Sequence, residues 1–486
     1  MKISTICIHT QSKNSLLAGI LLLGLTFCVT LKVQAAGDAW EAVGGGTYLS
    51  EVSHGFPALA FHPDNHDPYV AIVENANAIQ VKHFDGTSWS NYGPAVTSGE
   101  LDEAKLAFNP GNNELYLAYW DVTLHKVVVL RYDGSSWVDV GPHGVSDNDG
   151  FSISLAFNPA NNYPYVAYND QTLRKLVVKM YNGSSWENVG PFGISDTVAF
   201  YPIFAFNPYT NEPYVAYNDT GNGNKLRVMK YTGTWETVGS AGISSGYVTY
   251  LDLAFHPTSQ QPYVVYTEED LHESLYIKRF DGSAWQDVSG PSGDDASGEE
   301  GEIAFCPSTN DLYVAYSKED SENNIVVRKY NGSSWELVGT KGFNTYEAGY
   351  FDFGIQPSTN EPYLVFEDDA HGTILHKLGI YKYNKVVSSR PTIPYKNKKS
   401  AKKNLTLTFK DLKITTKKGW VKVWLGGKKQ KVRSVKKSGN NLKVALRVKY
   451  GKWARGNYNL RMQFKKKVGN HTQIDNWRSL NALTIL

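Results

Sequence analysis

With 486 residues that include 31 Tyr, 12 Trp and 43 Gly but only four Met, the chain favours short strands and tight turns over long helices. Its 49 basic and 47 acidic side chains nearly cancel, yet residues 390–486 hold 27 Lys and Arg against Asp411 and Asp475 alone. That leaves 19 basic against 45 acidic residues over 36–389, so two strongly opposed halves make one almost neutral chain.

The first 35 residues have the layout of a secretory signal peptide: Lys2 and Lys13, an apolar run from Leu16 to about Leu31, then Val33-Gln34-Ala35 as a small-residue exit. The run is short for a bilayer span, and no later segment is apolar enough to cross a membrane, so a secreted, periplasmic or cell-surface location is expected. After cleavage Cys306 is the one remaining cysteine, and no internal disulfide can form.

From there the sequence repeats. The Phe of an "LAF"-like segment recurs at Phe61, Phe108, Phe157, Phe206, Phe255 and Phe305, with Ile355 in the seventh copy, at spacings close to 50 residues. Each unit reads as apolar run, "NP" turn, "PYVAY"-like run, polar turn, "KLVVKMY"-like run and Trp phrase, which predicts four short strands. An Asp-Gly or Asn-Gly pair before the Trp (Asp85-Gly86, Asp133-Gly134, Asn182-Gly183, Asp281-Gly282, Asn331-Gly332) predicts a tight type I′ hairpin. Four-stranded units in series predict a β-propeller.

The Trp phrase occurs at Trp40, Trp89, Trp137, Trp186, Trp235, Trp285 and Trp335. The first copy precedes any three-strand segment, and the last three-strand segment, from Phe351 to Asn384, has no Trp after it. The N-terminal strand should therefore complete the last blade, which gives seven blades over 37–385 and no open sheet edge. These "LAF…PYVAY.D…YNGSSW..VG" repeats resemble a family of secreted bacterial β-propeller proteins. The "DGTSW" and "DGSAW" turns also resemble, in part, the Asp-box of sialidases. Such enzymes clasp a substrate carboxylate with inner arginines, whereas Arg131, Arg174, Arg227, Arg279 and Arg328 fall in or beside third strands.

Residues 386–403, around "SSRPTIPYKNKKSAKK", read as a linker. Beyond it, "GWVKVWLGGKKQKVRSV" and "NNLKVALRVKYGKWARGNYNLRMQF" alternate as strands. The segment 404–486 resembles IPT/TIG-type modules, which implies an immunoglobulin-like β-sandwich. Its lysines suit a solvated sheet face, attachment to an anionic cell-surface polymer, or docking of the acidic propeller.

Propeller ligands meet the channel mouth, so the informative positions are those that break the repeat there. Five residues before the "LAF" Phe stand Phe56, Glu103, Ser152, Tyr201, Tyr250, Glu300 and Tyr350. Three before it stand Ala58, Lys105, Ser154, Ile203, Asp252, Glu302 and Asp352. Glu103, Lys105, Asp252, Glu300, Glu302 and Asp352, rimmed by Tyr201, Tyr250 and Tyr350, form the candidate ligand site. Rings stack on apolar sugar faces and carboxylates accept from hydroxyls, which suits a glycan, with a protein ligand also open. Solvated loop charges are the plainer reading of the same residues.

No nucleophile elbow, zinc motif or phosphate loop is present. The acidic runs "SDNDG" (Ser146 to Gly150) and "GDDASGEEGE" (Gly293 to Glu302) match calcium loops poorly, so no metal or cofactor is expected. A binding protein is the expected function. A glycoside hydrolase or lyase using mouth carboxylates and a non-catalytic interaction scaffold are the alternatives.

Overall fold

In the computed structural model, residues 39–384 are described except 45–47, 54, 270–273, 289–298, 319–324, 340–346 and 370–375. Beyond them, seven strands between 392 and 485 are described as backbone. The expected signal peptide (1–35), nearly all of the linker (386–403) and most of the acidic run 293–302 lie outside the described residues.

Residues Asp38–Lys385 make one compact unit, a seven-bladed β-propeller. Blade 3 is representative: Gly150–Phe157, Pro164–Asp170, Lys175–Tyr181 and Trp186–Asn188 form an antiparallel meander. Its second strand, "PYVAYND", is buried along its whole length, as expected of a strand sandwiched between neighbouring blades. The apolar core lies between blades. Tyr165, Ala167 and Val178 of blade 3 pack with Phe204, Val215 and Tyr217 of blade 4 in one cluster.

The ring closes where the Trp count requires. Ala39–Ala42 pairs antiparallel with His376–Asn384, with Trp40 opposite Tyr383. Trp40 Nε1 donates to the Val338 carbonyl at 3.0 Å, and a Cβ on Gly339 would come within 2.8 Å of the indole. The same contact recurs between blades: Trp89 donates to Val43, Trp186 to Val140, Trp235 to Val189 and Trp285 to Val238. Five Trp thus lie on the Val-Gly of the preceding blade, and Trp137 lies on Gly93 and donates to the Pro94 carbonyl, which explains why Trp and Gly appear in one repeating phrase.

The hairpin before each Trp differs from the type I′ turn expected. In Asp85-Gly86-Thr87-Ser88 only Gly86 has positive φ, at 88°, whereas type I′ needs it at both central residues. The Asp85 carboxylate instead accepts from the Thr87 and Ser88 N–H groups at 2.7 and 2.8 Å. Asx capping of this kind overrides the pair preference, and these bonds hold the Asp85 carboxyl down at about 2.

The "NP" turn shows the same economy. Asn109 Oδ1 accepts from the Gly111 N–H, and where His replaces Asn, His256 Nδ1 accepts from Thr258 and Ser259 at 3.2 and 3.1 Å. Cys306 occupies this slot in blade 6, buried against Asn360.

The loop "SDNDG" spends its oxygens locally. Ser146 Oγ accepts from the Val127 N–H, Asp147 pairs with Lys179 at 2.6 Å, and Asp149 accepts from Trp120 Nε1. Among the described residues no cluster of His, Cys, Asp and Glu could hold a metal ion. Lys179 is buried and also donates to the Val145 carbonyl at 3.2 Å, while Asp147 is largely exposed. Asp147→Ala should therefore leave the ammonium one partner and lower stability by only about 1 kcal/mol in a denaturant titration.

The described residues of the second unit are all in strands. Its strands run in the order 392–393, 471–485, 456–468, 421–425, 428–438, 441–449, 402–409. Neighbours are antiparallel except for the parallel pairing of Thr392–Ile393 with Thr484–Ile485. No helix among the described residues is long and apolar enough to cross a membrane.

Candidate functional site

The inner strands of all seven blades converge on one axial cavity of about 280 Å³. The inner strands of blades 2 to 7 break register near their start. In blade 2 the ladder skips between Asp102 and Lys105, and the same shift recurs at Phe151/Ser154, Phe200/Ile203, Thr249/Asp252 and Glu299/Glu302. Within the bulges of blades 2 to 6 one residue turns left-handed: Glu103, Ser152, Tyr201, Tyr250 and Glu300, with φ of 43–56°. These are five of the positions singled out five residues before the repeat Phe. Bulges re-aim side chains, and left-handed non-Gly residues persist only where their surroundings enforce them.

Of the nine residues expected at the mouth, Glu103, Lys105, Tyr201, Tyr250, Asp252, Glu300, Glu302 and Asp352 line the cavity. Tyr350 does not line it; its ring sits against Phe56, with centroids 3.8 Å apart, and Phe56 is the wall. Around the mouth the order is therefore Phe56, Glu103, Ser152, Tyr201, Tyr250, Glu300. Tyr201 and Tyr250 are neighbours with centroids 5.8 Å apart. Lys105 Nζ lies 5.8 Å from the Phe56 ring centroid.

One layer deeper, the carboxylates have a structural task. The Leu59 N–H donates to Asp352 Oδ2 at 2.6 Å, Ile303 N–H to Asp252 Oδ2 at 3.0 Å and Phe353 N–H to Glu302 Oε2 at 2.5 Å. Ser154 Oγ accepts from the Phe204 N–H at 2.9 Å in the same way. An inner strand has no ladder partner on its channel side, so these N–H groups need an acceptor, and the preceding blade supplies it. The sequence reading placed these residues at the cavity; the cross-blade bonds were not legible in it.

Water reaches the cavity, but protein surrounds the carboxyls. Burial pushes Glu103 up to about 7 against the pull of Lys105, and Asp352 up to about 6. Burial also raises Asp252. It raises Glu302 well above the ordinary carboxyl value, with Asp352 and Asp252 repelling its charge. Near neutral pH this wall holds carboxyls that can donate as well as accept.

No propeller arginine lines the cavity. Arg131, Arg227, Arg279 and Arg328 sit within third strands and Arg174 just ahead of one. The Ser152 side chain is small and its φ is 52°, so Ser152→Gly should relieve strain and raise stability by about 0.5–1 kcal/mol in thermal melts.

No sequence-family profile matches the chain, and no curated protein matches it. Among solved structures, the WD40 domain of Toxoplasma gondii coronin overlays at TM-score 0.50 and 11% identity, covering 73% of this chain and 88% of that one. That match shows a shared propeller fold. An Aleuria aurantia lectin in complex with Fucα1-6GlcNAc overlays at 0.41 and 16% identity, covering 60% and 97%. An ancestral GH74 enzyme overlays at 0.46 and 14% identity, covering 90% and 63%. These looser overlaps carry nothing about this chain's ligand.

Proposed function

We propose that this chain is an exported binding protein whose propeller mouth takes a glycan and whose basic C-terminal unit attaches to an anionic surface. The observation that carries the first part is the mouth itself, where the rings of Phe56, Tyr201 and Tyr250 and the carboxyls of Glu103 and Glu300 line one cavity. Rings offer flat apolar faces to sugar C–H surfaces, and carboxyls exchange hydrogen bonds with hydroxyls.

Hydrolysis is the weaker reading, because Glu302 and Asp352 are already engaged by backbone N–H groups that hold adjacent blades together. Residues 1–35 act as the export signal and 386–403 as a linker, and 404–486 form an immunoglobulin-like sandwich. The charge excess of 390–486 supports the anionic-surface role.

A glycan array with the intact chain, run beside a polysaccharide turnover assay, tests the function. Retention without product release is expected. Turnover that disappears in Glu302→Gln would replace binding with hydrolysis. Retention of the chain on dextran sulfate should fall steeply as salt rises to 1 M, where charge attraction reaches only about 3 Å; salt-independent retention would remove the surface role.

A further inference from the structure

Among the described residues, two members of the ring of inner-strand N–H groups have no protein acceptor, and they are neighbours. Two residues before each repeat Phe, the N–H points into the channel. Leu59, Phe204, Ile303 and Phe353 donate to the preceding blade, and Leu253 donates to its own neighbour Asp252 at 2.7 Å. Leu106 and Leu155 hold the same register positions, opposite Leu117 and Val166, and both line the cavity. The residues one blade back are Ala58 and Lys105, and neither an alkyl group nor an ammonium can accept a hydrogen bond.

Blade 5 shows what is missing. There a single carboxylate, that of Asp252, bridges the Leu253 N–H on its own strand and the Ile303 N–H on the next. Lys105 stands at the Asp252 position of blade 2, so the corresponding Leu106 and Leu155 N–H groups lack their bridge. The side chain at that position ends in an ammonium that lies 5.8 Å from the Phe56 ring and also attracts Glu103, Asp252, Glu302 and Asp352 across the cavity. N–H groups on a cavity wall without a protein partner are free to bind an acceptor, and charge-assisted bonds are the strong ones.

We infer that Lys105 and the backbone N–H groups of Leu106 and Leu155 form a subsite for a ligand carboxylate, so the glycan bound here carries an acidic sugar. The inference rests on the glycan reading of the mouth. Glu103, the carboxyl nearest in sequence, is raised by burial, and its protonation near neutral pH limits its repulsion of the incoming anion.

The test compares glucuronate-terminated oligosaccharides with their glucose-terminated counterparts, using the intact chain and its Lys105→Asn and Lys105→Met variants. Asn places its own acceptor where Asp252 has one, whereas Met removes the charge and leaves the N–H groups open. The wild-type chain should favour the acidic oligosaccharide by tenfold or more. Lys105→Asn should abolish that preference while keeping its melting temperature, and Lys105→Met should reduce it. Wild-type retention of the neutral sugar alone, or acidic retention unchanged in Lys105→Asn, overturns the carboxylate subsite while the glycan-binding mouth stands. The second result would assign the acid contact to another part of the chain, such as the basic unit. Retention of neither sugar overturns the mouth reading and the subsite with it.

Discussion

Trp40→Ala should lower the melting temperature of the propeller by roughly 5–10 °C, more than the same change at Trp186. Both indoles donate to a carbonyl of the preceding blade, and loss of a buried indole costs about 3–5 kcal/mol. The difference lies in what holds each outer strand. Trp186 begins a strand tied to its partner by the hairpin at Asn182–Ser185, where the Asn182 carbonyl oxygen caps the turn. The strand Ala39–Ala42 has no hairpin. It is attached to His376–Asn384 through pairing alone, with the indole packed on Gly339 and tilted against Tyr383 at 5.7 Å between centroids. Without the indole the strand can detach and expose the last blade's edge, so Trp40→Ala should also speed proteolysis near the N-terminus. Equal shifts at Trp40 and Trp186 would mean that the seam contributes no more than any other blade junction.

The second large effect is a stability that rises as the solution is acidified below neutral. Glu103 at about 7 and Asp352 at about 6 are both raised by burial, and Glu302 and Asp252 move the same way. Carboxyls raised in the fold bind more protons there than in the unfolded chain, so their stabilisation is full only below the unfolded carboxyl value, about 4, and is lost as pH rises from there through about 6–7. The change should amount to a few kcal/mol between pH 5 and pH 8. Opposing it, the turn carboxyls Asp85, Asp133 and Asp281 are held down at about 2 by hydrogen bonds. They stabilise above the unfolded carboxyl value, and that contribution is lost as pH falls towards 2. The melting temperature should therefore peak near the unfolded carboxyl value, about pH 4. Glu302→Gln keeps an acceptor for the Phe353 N–H and removes the repulsion with Asp352 and Asp252, so it should raise the melting temperature at pH 8 and flatten the profile. A melting temperature that climbs steadily from pH 5 to pH 8 would contradict this picture of the channel.

How much of this could be read beforehand depended on whether a feature is local or shared between blades. The blade count and the seam followed from Trp40 preceding its three-strand partner, because a four-strand repeat must end where it began. The lining of the cavity was legible as well, since positions three and five before the repeat Phe vary in polarity while the rest of the inner strand does not. The left-handed bulges at Glu103 and Tyr250 were not legible, because a ladder skip depends on two strands. Phe56 appeared in the same series as Tyr350, yet which ring forms the wall is decided by packing between blades 7 and 1. The hairpin turn was misjudged for a local reason: pair preference pointed to type I′, but the Asp side chain outcompetes the backbone for the turn's N–H groups.

The most direct measurement is retention of the intact chain on a glycan array beside Tyr250→Ala and Tyr209→Ala. Tyr250 lines the cavity, while Tyr209 is an exposed ring in the turn that follows an inner strand. Binding at the mouth requires glycan retention that drops at least tenfold in Tyr250→Ala and is unchanged in Tyr209→Ala. Undiminished retention in Tyr250→Ala, or none by the unaltered chain, would contradict it.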